Sequence, residues 1–445
     1  MPLPGSGLSS QRRSVEADGT RHLGAAEIPA PRDSCKGAVR LDLRWRSDAV
    51  THCDSLCVPT SLISSDTTAP WLHAALERDA GPEPTTRLFA PGELVAGRDA
   101  DAVVPLRPLE LRPTLPGGLA LELRHGRFYP SRVLQGSGQA QPFRSSVFRL
   151  VTDSANRPSA DFNHPLAGVP LQLDMEVVTT SAADKPPGQG LHPIRSLLTD
   201  RGPGMQARWR GRPTAFFTDA VLQRSDDDDA AFYAQTRLVD HLDRTALAEI
   251  SALYARLVPR RSRVLDLMSS WHSHLPSGLA PEAVVGLGMN ADELALNPAL
   301  TEAAVHDLNA DPRLPFPEQA FDAVVCTASV EYLSSPFAVF REIARVLRPD
   351  GVAVMTFSNR WFPTKAVNVW QQLHEFERPA LVLEYFRDSG AFADLNSWSL
   401  RGLRRPVDDA YARRLAQSDP VHAVWASRAD SAPARTGAIP TPRPR

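Results

Sequence analysis

The strongest constraint on the fold is a change in sequence pattern near residue 231, after which short apolar strands alternate with helical segments. Strands are predicted at 264–267, 283–287, 321–326 and 351–357. A long helix is predicted at 232–257, and a second helix at 336–347 separates the last two strands. Such alternation predicts a parallel sheet covered by helices on both faces, with ligands bound beyond the carboxyl ends of the strands.

The N-terminal half has a different pattern, and a chain of 445 residues is long enough for two domains. Residues 39–45 alternate apolar and polar side chains, which predicts a half-buried strand, and residues 171–178 repeat the pattern. Residues 71–76 predict a short helix. Residues 179–230 are rich in Pro, Gly and Asp and are predicted as a linker, whose acidic run at 226–229 is expected to be solvated and without a partner.

Composition excludes several classes of protein. With 49 basic and 51 acidic residues the net charge is -2, so no nucleic-acid partner is predicted. No apolar run reaches the roughly 18 residues of a membrane helix. Cys53 and Cys57 lack a second Cys/His pair at ligand spacing, so we predict packed, reduced thiols and no metal site. Residues 1–35 are predicted as a disordered leader on a cytoplasmic protein, with an organellar location as the alternative, and residues 426–445 as a disordered tail.

One stretch of the C-terminal half carries a specific family pattern. Residues 314–317 are LPFP, residues 321–325 are FDAVV and residues 341–351 are REIARVLRPDG. In order and spacing these strings resemble the type 11 branch of the class I S-adenosylmethionine-dependent methyltransferases. The resemblance implies a Rossmann-like doubly wound domain over 231–425, S-adenosyl-L-methionine as cofactor, and methyl transfer to an acceptor, a small molecule or a polypeptide, that the sequence does not identify.

The resemblance also implies a set of cofactor-binding residues at successive strand ends. Asp307 stands where the family has an acid that binds the adenine amino group, although a helix cap or turn residue is the alternative. The family's glycine-rich turn after the first strand is replaced here by side chains, and its ribose-binding acid is replaced by Gly288, with Asn290 or Glu293 as candidate substitutes. The predicted cofactor-binding set is Asp266, Met268, Ser270, Gly286, Gly288, Met289, Asn290, Asp307, Leu308 and Cys326.

Candidate catalytic residues follow the strand 321–326. Alignment of a nucleophile with the methyl group is the main requirement, and a base is needed only if the acceptor must lose a proton. Glu331 and Tyr332 are the candidates, with a helix-start or surface role as the alternative for Glu331. His272 and His274, near the cofactor turn, are either functional or structural. An aromatic-rich segment from Trp361 to Phe386 predicts either an acceptor cap or ordinary core packing.

Residues 36–178 resemble a second family. Residues 161–168 are DFNHPLAG and lead into the strand 171–178, which is similar to the end of the inserted flap in SlyD-like FKBP-type peptidyl-prolyl isomerases. This resemblance implies an FKBP-like, antiparallel, β-rich α+β domain with a flap insert at about 106–165. Ala96 and Leu173 replace aromatic residues of the family's cleft, and Asp54 is a candidate for its cleft aspartate.

Three functional hypotheses therefore stand. The first is methyl transfer by the C-terminal domain, with the FKBP-like domain as an accessory. The alternative is a peptide-binding isomerase or chaperone whose methyltransferase-like domain has lost its cofactor site. The third is a non-catalytic binding protein in which both sites have decayed. The sequence does not indicate the oligomeric state.

Overall fold

A computed structural model describes residues 38–63, 85–106, 122–134, 147–177, 192–200, 202–217 and 222–430. Strands from both halves of the chain form one eleven-stranded sheet, in the order β11-β10-β9-β12-β13-β15-β14-β2-β1-β8-β3, and a second sheet has the order β4-β7-β6-β5. The strands are β1 Ala38–Ser47, β2 Val50–Pro59, β3 Thr85–Phe89, β4 Val103–Pro105, β5 Phe128–Pro130, β6 Val147–Thr152, β7 Pro158–Asp161, β8 Leu171–Val177, β9 Arg263–Leu267, β10 Ala283–Gly288, β11 Glu302–Val305, β12 Phe321–Thr327, β13 Leu347–Phe357, β14 Phe392–Arg401 and β15 Val421–Arg428.

Helices alternate with strands along the C-terminal half of the chain. The α-helices within the described residues are Ile194–Thr199, Asp229–Tyr233, Arg244–Leu257, Ala291–Leu296, Pro336–Val346, Asn368–Gln372 and Arg378–Ser389. Those at Pro336–Val346 and Arg378–Ser389 pack on each other through rings such as Phe340 and Phe386, whose centroids lie 4.8 Å apart. No helix in the described ranges is long and apolar enough to cross a membrane.

The C-terminal part of the sheet has a parallel core. β9 pairs in parallel with β10 and β12, and β13 pairs in parallel with β12. β15 runs antiparallel to both β13 and β14. The chain moves outward in one direction from β9 to β11 and in the other from β12 to β13, so the carboxyl ends of β9 and β12 flank a topological switch point, the usual place for a ligand crevice. The prediction of a doubly wound α/β arrangement in this half is confirmed.

The predicted long helix at 232–257 is wrong, because the chain forms two helices separated by residues 234–243. Asp243 begins the second helix as its N-cap, and its Oδ1 accepts hydrogen bonds from the backbone N–H of Thr245 at 2.9 Å and Ala246 at 3.2 Å. Ser418 and the backbone N–H of Asp419 also bind the Asp243 carboxylate, so contacts distant in sequence fix this boundary. The separating segment is thereby free to follow the carboxyl edge of the sheet.

In the N-terminal half, β1 pairs with β2 and β8, and β8 pairs with β3, all antiparallel. The second sheet is built from residues 103–161 and lies between β3 and β8 in the chain. Strand β1 is buried on both faces, whereas the sequence predicts burial of one face only. Its polar face contains ion pairs, including Arg44 Nε to Asp174 Oδ2 at 2.7 Å. The predicted helix at 71–76 lies outside the described residues.

The two halves meet through backbone pairing. Strand β14 pairs in parallel with β2, in a register that runs from Leu395 opposite Val50 to Arg401 opposite Leu56. Side chains cross the same seam: Asp54, which is fully buried, accepts hydrogen bonds from Ser399 at 2.6 Å and from Arg401 at 2.8 Å. Asp54 thus occupies the junction between the halves and not an open cleft.

The described residues of the segment predicted as a linker, 192–200, 202–217 and 222–230, pack against both halves. Ile194, Leu198 and Phe216 are buried, and Arg208 forms an ion pair with Glu384. The acidic run is partnered, contrary to the prediction. Asp229 is buried, lies 2.8 Å from Arg224 and 3.2 Å from the ammonium group of Lys365, which is itself inaccessible to solvent.

Cysteine chemistry also differs from the prediction in one place. Cys57 is disulfide-bonded, so the expectation of reduced thiols is wrong for this residue. Cys53 and Cys326 are free and buried, and burial raises the pKa of both thiols well above the usual value.

Candidate functional site

A cavity lies at the carboxyl edge of the sheet, over the switch point between β9 and β12. Its floor and one wall are built by the residues that follow β9, β10, β11 and β12, and the opposite wall by residues 229–247. The predicted cofactor residues that line it are Asp266, Met268, Ser270, Gly288, Met289, Asn290, Asp307 and Leu308, and the predicted catalytic residue Tyr332 lines it too. The structure therefore brings most of the predicted set together, while Gly286, Cys326 and Glu331 are absent from the lining.

The turn after β9 keeps a sharp conformation without glycine. Met268 has a φ of 57°, in the left-handed region that costs a residue with a side chain about 1 kcal/mol or more. Side-chain hydrogen bonds hold the turn in place. Asp266 Oδ2 accepts from the hydroxyls of Ser269 at 2.6 Å and Ser273 at 2.7 Å, and Asn297 donates to the carbonyl of Ser270 at 2.8 Å. A polar network thus replaces the conformational freedom of glycine.

Asp266 is the buried centre of that network. Desolvation raises its pKa to about 7, although the two serine hydroxyls oppose the shift. Burial thus favours the protonated form of this carboxyl group, whereas the serine hydroxyls favour the carboxylate.

Gly286 and Gly288 on β10 are explained by packing. A Cβ at Gly288 would lie 2.2 Å from the backbone oxygen of Ser269, because the turn after β9 crosses the end of β10 and the Ser269 N–H donates to the Leu287 carbonyl at 2.7 Å. A Cβ at Gly286 would lie 2.4 Å from Leu300. A side chain at Gly286 would require Leu300 to move, whereas Gly288 faces main chain that cannot rotate away, so an acid cannot stand at Gly288 in this arrangement.

Of the two candidate substitutes for that acid, Glu293 presents a carboxylate to the cavity. Glu293 accepts from the Arg237 backbone N–H at 2.7 Å and from the Ser270 hydroxyl at 2.6 Å. Asn290 caps the helix Ala291–Leu296 by accepting from the N–H groups of Asp292 and Glu293, and its amide donates to the carbonyl of Tyr233. The Asn290 side chain is thus committed to hydrogen bonds within the fold, whereas Glu293 brings a carboxylate to the cavity.

Asp307 and Leu308 follow β11 and line the cavity together. Asp307 Oδ1 accepts from the backbone N–H groups of Asn309 at 2.8 Å and Ala310 at 3.3 Å. Both roles weighed for Asp307 in the sequence are therefore compatible, because the turn contacts use one oxygen of a carboxylate that also faces the cavity. Leu308 is buried and supplies an apolar wall.

The two predicted catalytic residues have different surroundings. Glu331 is inaccessible to solvent, neither of its carboxylate oxygens has a hydrogen-bond partner among the described residues, and desolvation raises its pKa to about 8. Tyr332 lines the cavity, its hydroxyl accepts from the Phe362 N–H at 3.0 Å, and burial raises its pKa well above the usual value. A base that must reach an acceptor is thus not supplied by Glu331.

The wall formed by residues 229–247 contains functional candidates that sequence reasoning missed. Tyr233, Arg237 and His241 face the cavity from this wall, and Phe362 faces it from beyond β13. His241 packs edge-on to Phe362 with ring centroids 5.0 Å apart, and burial lowers its pKa. No pattern in the sequence indicates that this segment folds back over strand ends. The combination of aromatic and basic residues in the segment is the one signal that could have marked it as part of a binding site.

One group of potential ligands stands at the rim. The donor atoms of Asp240, His272 and His274 lie within 4.8 Å of one another, and all three residues line the cavity. Burial lowers the pKa of His274 to about 4, with the neighbouring His272 contributing in the same direction.

Part of this chain is similar to known proteins. A family model described as a methyltransferase domain matches residues 273–355. The ubiquinone biosynthesis O-methyltransferase of Xanthomonas axonopodis pv. citri (strain 306) is 31% identical over 118 residues, which are 24% of this chain and 47% of that protein. The protein of the same name from Xanthomonas campestris pv. campestris (strain B100) is 29% identical over the same shares. The chain spans about half the length of these curated relatives.

Solved structures are similar at low identity. An S-adenosylmethionine-dependent methyltransferase from Mesorhizobium loti is 17% identical, with 39% of this chain and 93% of that one covered and a TM-score of 0.26. An S-adenosylmethionine-dependent methyltransferase from Methanosarcina mazei is 14% identical, with 40% and 97% covered and a TM-score of 0.27. The resemblance of residues 36–178 to FKBP-type isomerases is not confirmed by these comparisons and stays a prediction. The match of the family model places a methyltransferase domain at residues 273–355, within the C-terminal half, and the methyl donor of such a domain is S-adenosylmethionine.

Proposed function

We propose that the chain is an S-adenosylmethionine-dependent methyltransferase whose cofactor occupies the cavity over the switch point. The observation that carries the proposal is the convergence of four strand-end segments on that cavity, three of which present a carboxyl group there, from Asp266, Glu293 and Asp307. A bound S-adenosylmethionine would supply an electrophilic methyl group on a sulfonium. The chain's own task is to hold the cofactor and align an acceptor with it.

The cavity residues fit the parts of this cofactor. We assign Asp307 to the adenine amino group and Leu308 to the adenine face. Glu293 is assigned to the ribose hydroxyls. A carboxylate oxygen can accept more than one hydrogen bond, so the hydroxyls can join or replace the contact of Glu293 with Ser270. The turn at Met268–Ser270 is assigned to the methionine portion, where its backbone is fixed by the Asp266 network.

For the acceptor we propose a small molecule with an aromatic or apolar ring. Tyr233, Trp271, Tyr332 and Phe362 line the cavity, and flat rings stack well on aromatic walls. The O-methyltransferase names of the curated relatives are consistent with an oxygen nucleophile. His241 is then the proton acceptor, because its ring lines the cavity and its lowered pKa keeps it neutral at pH 7.

Calorimetric titration with S-adenosylmethionine and with S-adenosylhomocysteine tests the cofactor site. We expect binding of one molecule per chain, at least about tenfold weaker in Asp307→Ala, since a hydrogen bond to a charged group contributes about 1.5–3 kcal/mol. Asp311→Ala is the matched control, because Asp311 is an exposed carboxylate four residues away that is absent from the lining.

The outcomes separate the parts of the proposal. Absence of binding by either ligand would overturn the enzymatic function. If Asp307→Ala and the wild type bind the cofactor equally, the proposed enzymatic function stands and the assignment of Asp307 to the adenine amino group is overturned. A His241→Ala variant that binds the cofactor normally but loses turnover on a phenolic acceptor would support the role of His241.

A further inference from the structure

The rim of the cavity contains a set of side chains that the cofactor assignment does not use. Asp240 and His272 are exposed, His274 is partly buried, and the three donor atoms lie within 4.8 Å of one another. Asp240 comes from the wall segment, whereas the two histidines come from the turn after β9, so the cluster joins two segments that are more than 30 residues apart in the chain. His272 Nδ1 already lies 3.3 Å from Asp240 Oδ1.

Two imidazoles and a carboxylate are a ligand set typical of a transition-metal site. Zinc and its neighbours bind imidazole nitrogen at about 2.0–2.1 Å and carboxylate oxygen at about 2.0–2.2 Å, so donors in a tetrahedral set stand about 3.4 Å apart. The most separated pair here must approach by at most about 1.4 Å, a movement that rotation of exposed side chains supplies. Calcium and magnesium are disfavoured, because they prefer sets made only of oxygen.

The surroundings hold the rings in place. Trp271 stacks on His272 with centroids 4.6 Å apart and planes at 24°, and its indole N–H donates to the Val239 carbonyl at 3.3 Å, next to Asp240. His274 has a φ of 55°, a left-handed conformation that is unusual for a residue with a side chain. Such strain marks positions where the direction of a side chain matters.

We propose that Asp240, His272 and His274 bind one divalent transition-metal ion of the zinc class at the mouth of the cavity. Three protein ligands would leave a coordination position for water or for a heteroatom of the acceptor, since all three residues line the cavity. The ion links the wall segment to the turn after β9 and so fixes the rim. This proposal does not depend on methyl transfer, because metal binding is measured without cofactor or acceptor.

The test is a titration of the full, tag-free chain with Co²⁺ after removal of metals by EDTA, followed by displacement with Zn²⁺. We expect ligand-field absorption that saturates at one equivalent, together with quenching of Trp271 fluorescence. Asp240→Asn and His272→Ala should each weaken binding by at least about tenfold, since each removes one of three protein ligands. His306→Ala is the matched control, because His306 also lines the cavity but its Nε2 donates a hydrogen bond to the Asp311 carbonyl at 2.8 Å and lies outside the cluster.

The outcomes are distinct. Binding that is lost in both cluster variants and kept in His306→Ala supports the site, and far-UV circular dichroism on these exposed positions checks that the variants are folded. Binding of equal strength in all variants, an absorption band from cobalt–thiolate bonds, or no saturable binding would each overturn the proposal. In the last case His272 and Asp240 form only a hydrogen-bonded pair at the surface.

Discussion

The close approach of the turn after β9 to Gly288 predicts the effect of a single methyl group. In Gly288→Ala the new Cβ would meet the backbone oxygen of Ser269 at 2.2 Å and Leu294 Cδ2 at 3.2 Å. The first contact is with main chain, so no side-chain rotation relieves it. The turn must withdraw from β10 by at least about 1.2 Å to reach an ordinary contact distance.

The expected loss of stability follows from the contacts that this movement of the turn disturbs. Overpacking a tight site costs about 1–3 kcal/mol. Withdrawal also lengthens the hydrogen bond from the Ser269 N–H to the Leu287 carbonyl, which contributes about 1 kcal/mol. We therefore expect Gly288→Ala to lower the free energy of unfolding by about 2–4 kcal/mol, and to weaken binding of S-adenosylmethionine because the turn moves.

Urea unfolding followed by circular dichroism measures the first effect and calorimetry the second. Gly278→Ala is the matched control, since Gly278 is exposed, lacks the left-handed conformation and has no atom within 4 Å of an added Cβ. If the two variants unfold at free energies within about 0.5 kcal/mol of each other, the turn does not occupy the space beside Gly288, and the explanation for the missing ribose acid is refuted.

Two further predictions concern buried charge. Glu331→Gln should flatten the pH dependence of stability. The folded pKa of Glu331 is about 8, above its usual value, so the contribution of this group to stability is present at low pH and is lost as pH rises toward about 8. Thermal unfolding between about pH 5 and pH 9 should therefore show a free energy of unfolding that is higher in the variant by about 2–4 kcal/mol at the alkaline end and little changed at the acid end. Asp54→Ala leaves Arg401 without its carboxylate at the seam and should lower the free energy of unfolding by about 3–5 kcal/mol, against less than about 1 kcal/mol for Asp388→Ala, which breaks an exposed pair with Arg341.

The strands that the sequence predicts well are those whose burial pattern is local. The predicted strand 264–267 corresponds to β9, and 171–178 corresponds to β8, within one residue at each end. The predicted helix at 232–257 fails because its interruption depends on Asp243 binding Ser418, which no local pattern reveals. The burial of Asp229 is equally non-local, since its partner Lys365 is distant in the chain.

The site follows the same division. Asp266 and Asp307 were implied by the resemblance to the methyltransferase family, and both reach the cavity because strand ends of a parallel sheet share one edge. The roles of Ser269, Ser273 and Asn297 could not be predicted, because their hydrogen bonds arise only once the turn has folded. The sequence suggests Glu331 as a catalytic residue because it is the carboxylate that follows the strand 321–326. The short helix at Val330–Tyr332 directs its side chain into the core instead.

The continuous sheet limits how the N-terminal half can take part in the function. Without β2, strand β14 would present an unpaired edge, a feature that proteins usually cover. The pairing of β14 with β2 and the buried contacts of Asp54 join the halves through main chain and charge. β2 lies four strand positions from β12 in the order β12-β13-β15-β14-β2, and strands are about 4.8 Å apart, so the N-terminal sheet begins about 19 Å from the switch point. A polypeptide held on that sheet would have to extend about 20 Å to present a side chain to the cavity, whereas a free small molecule meets no such requirement. The geometry of the sheet thus favours the small-molecule acceptor.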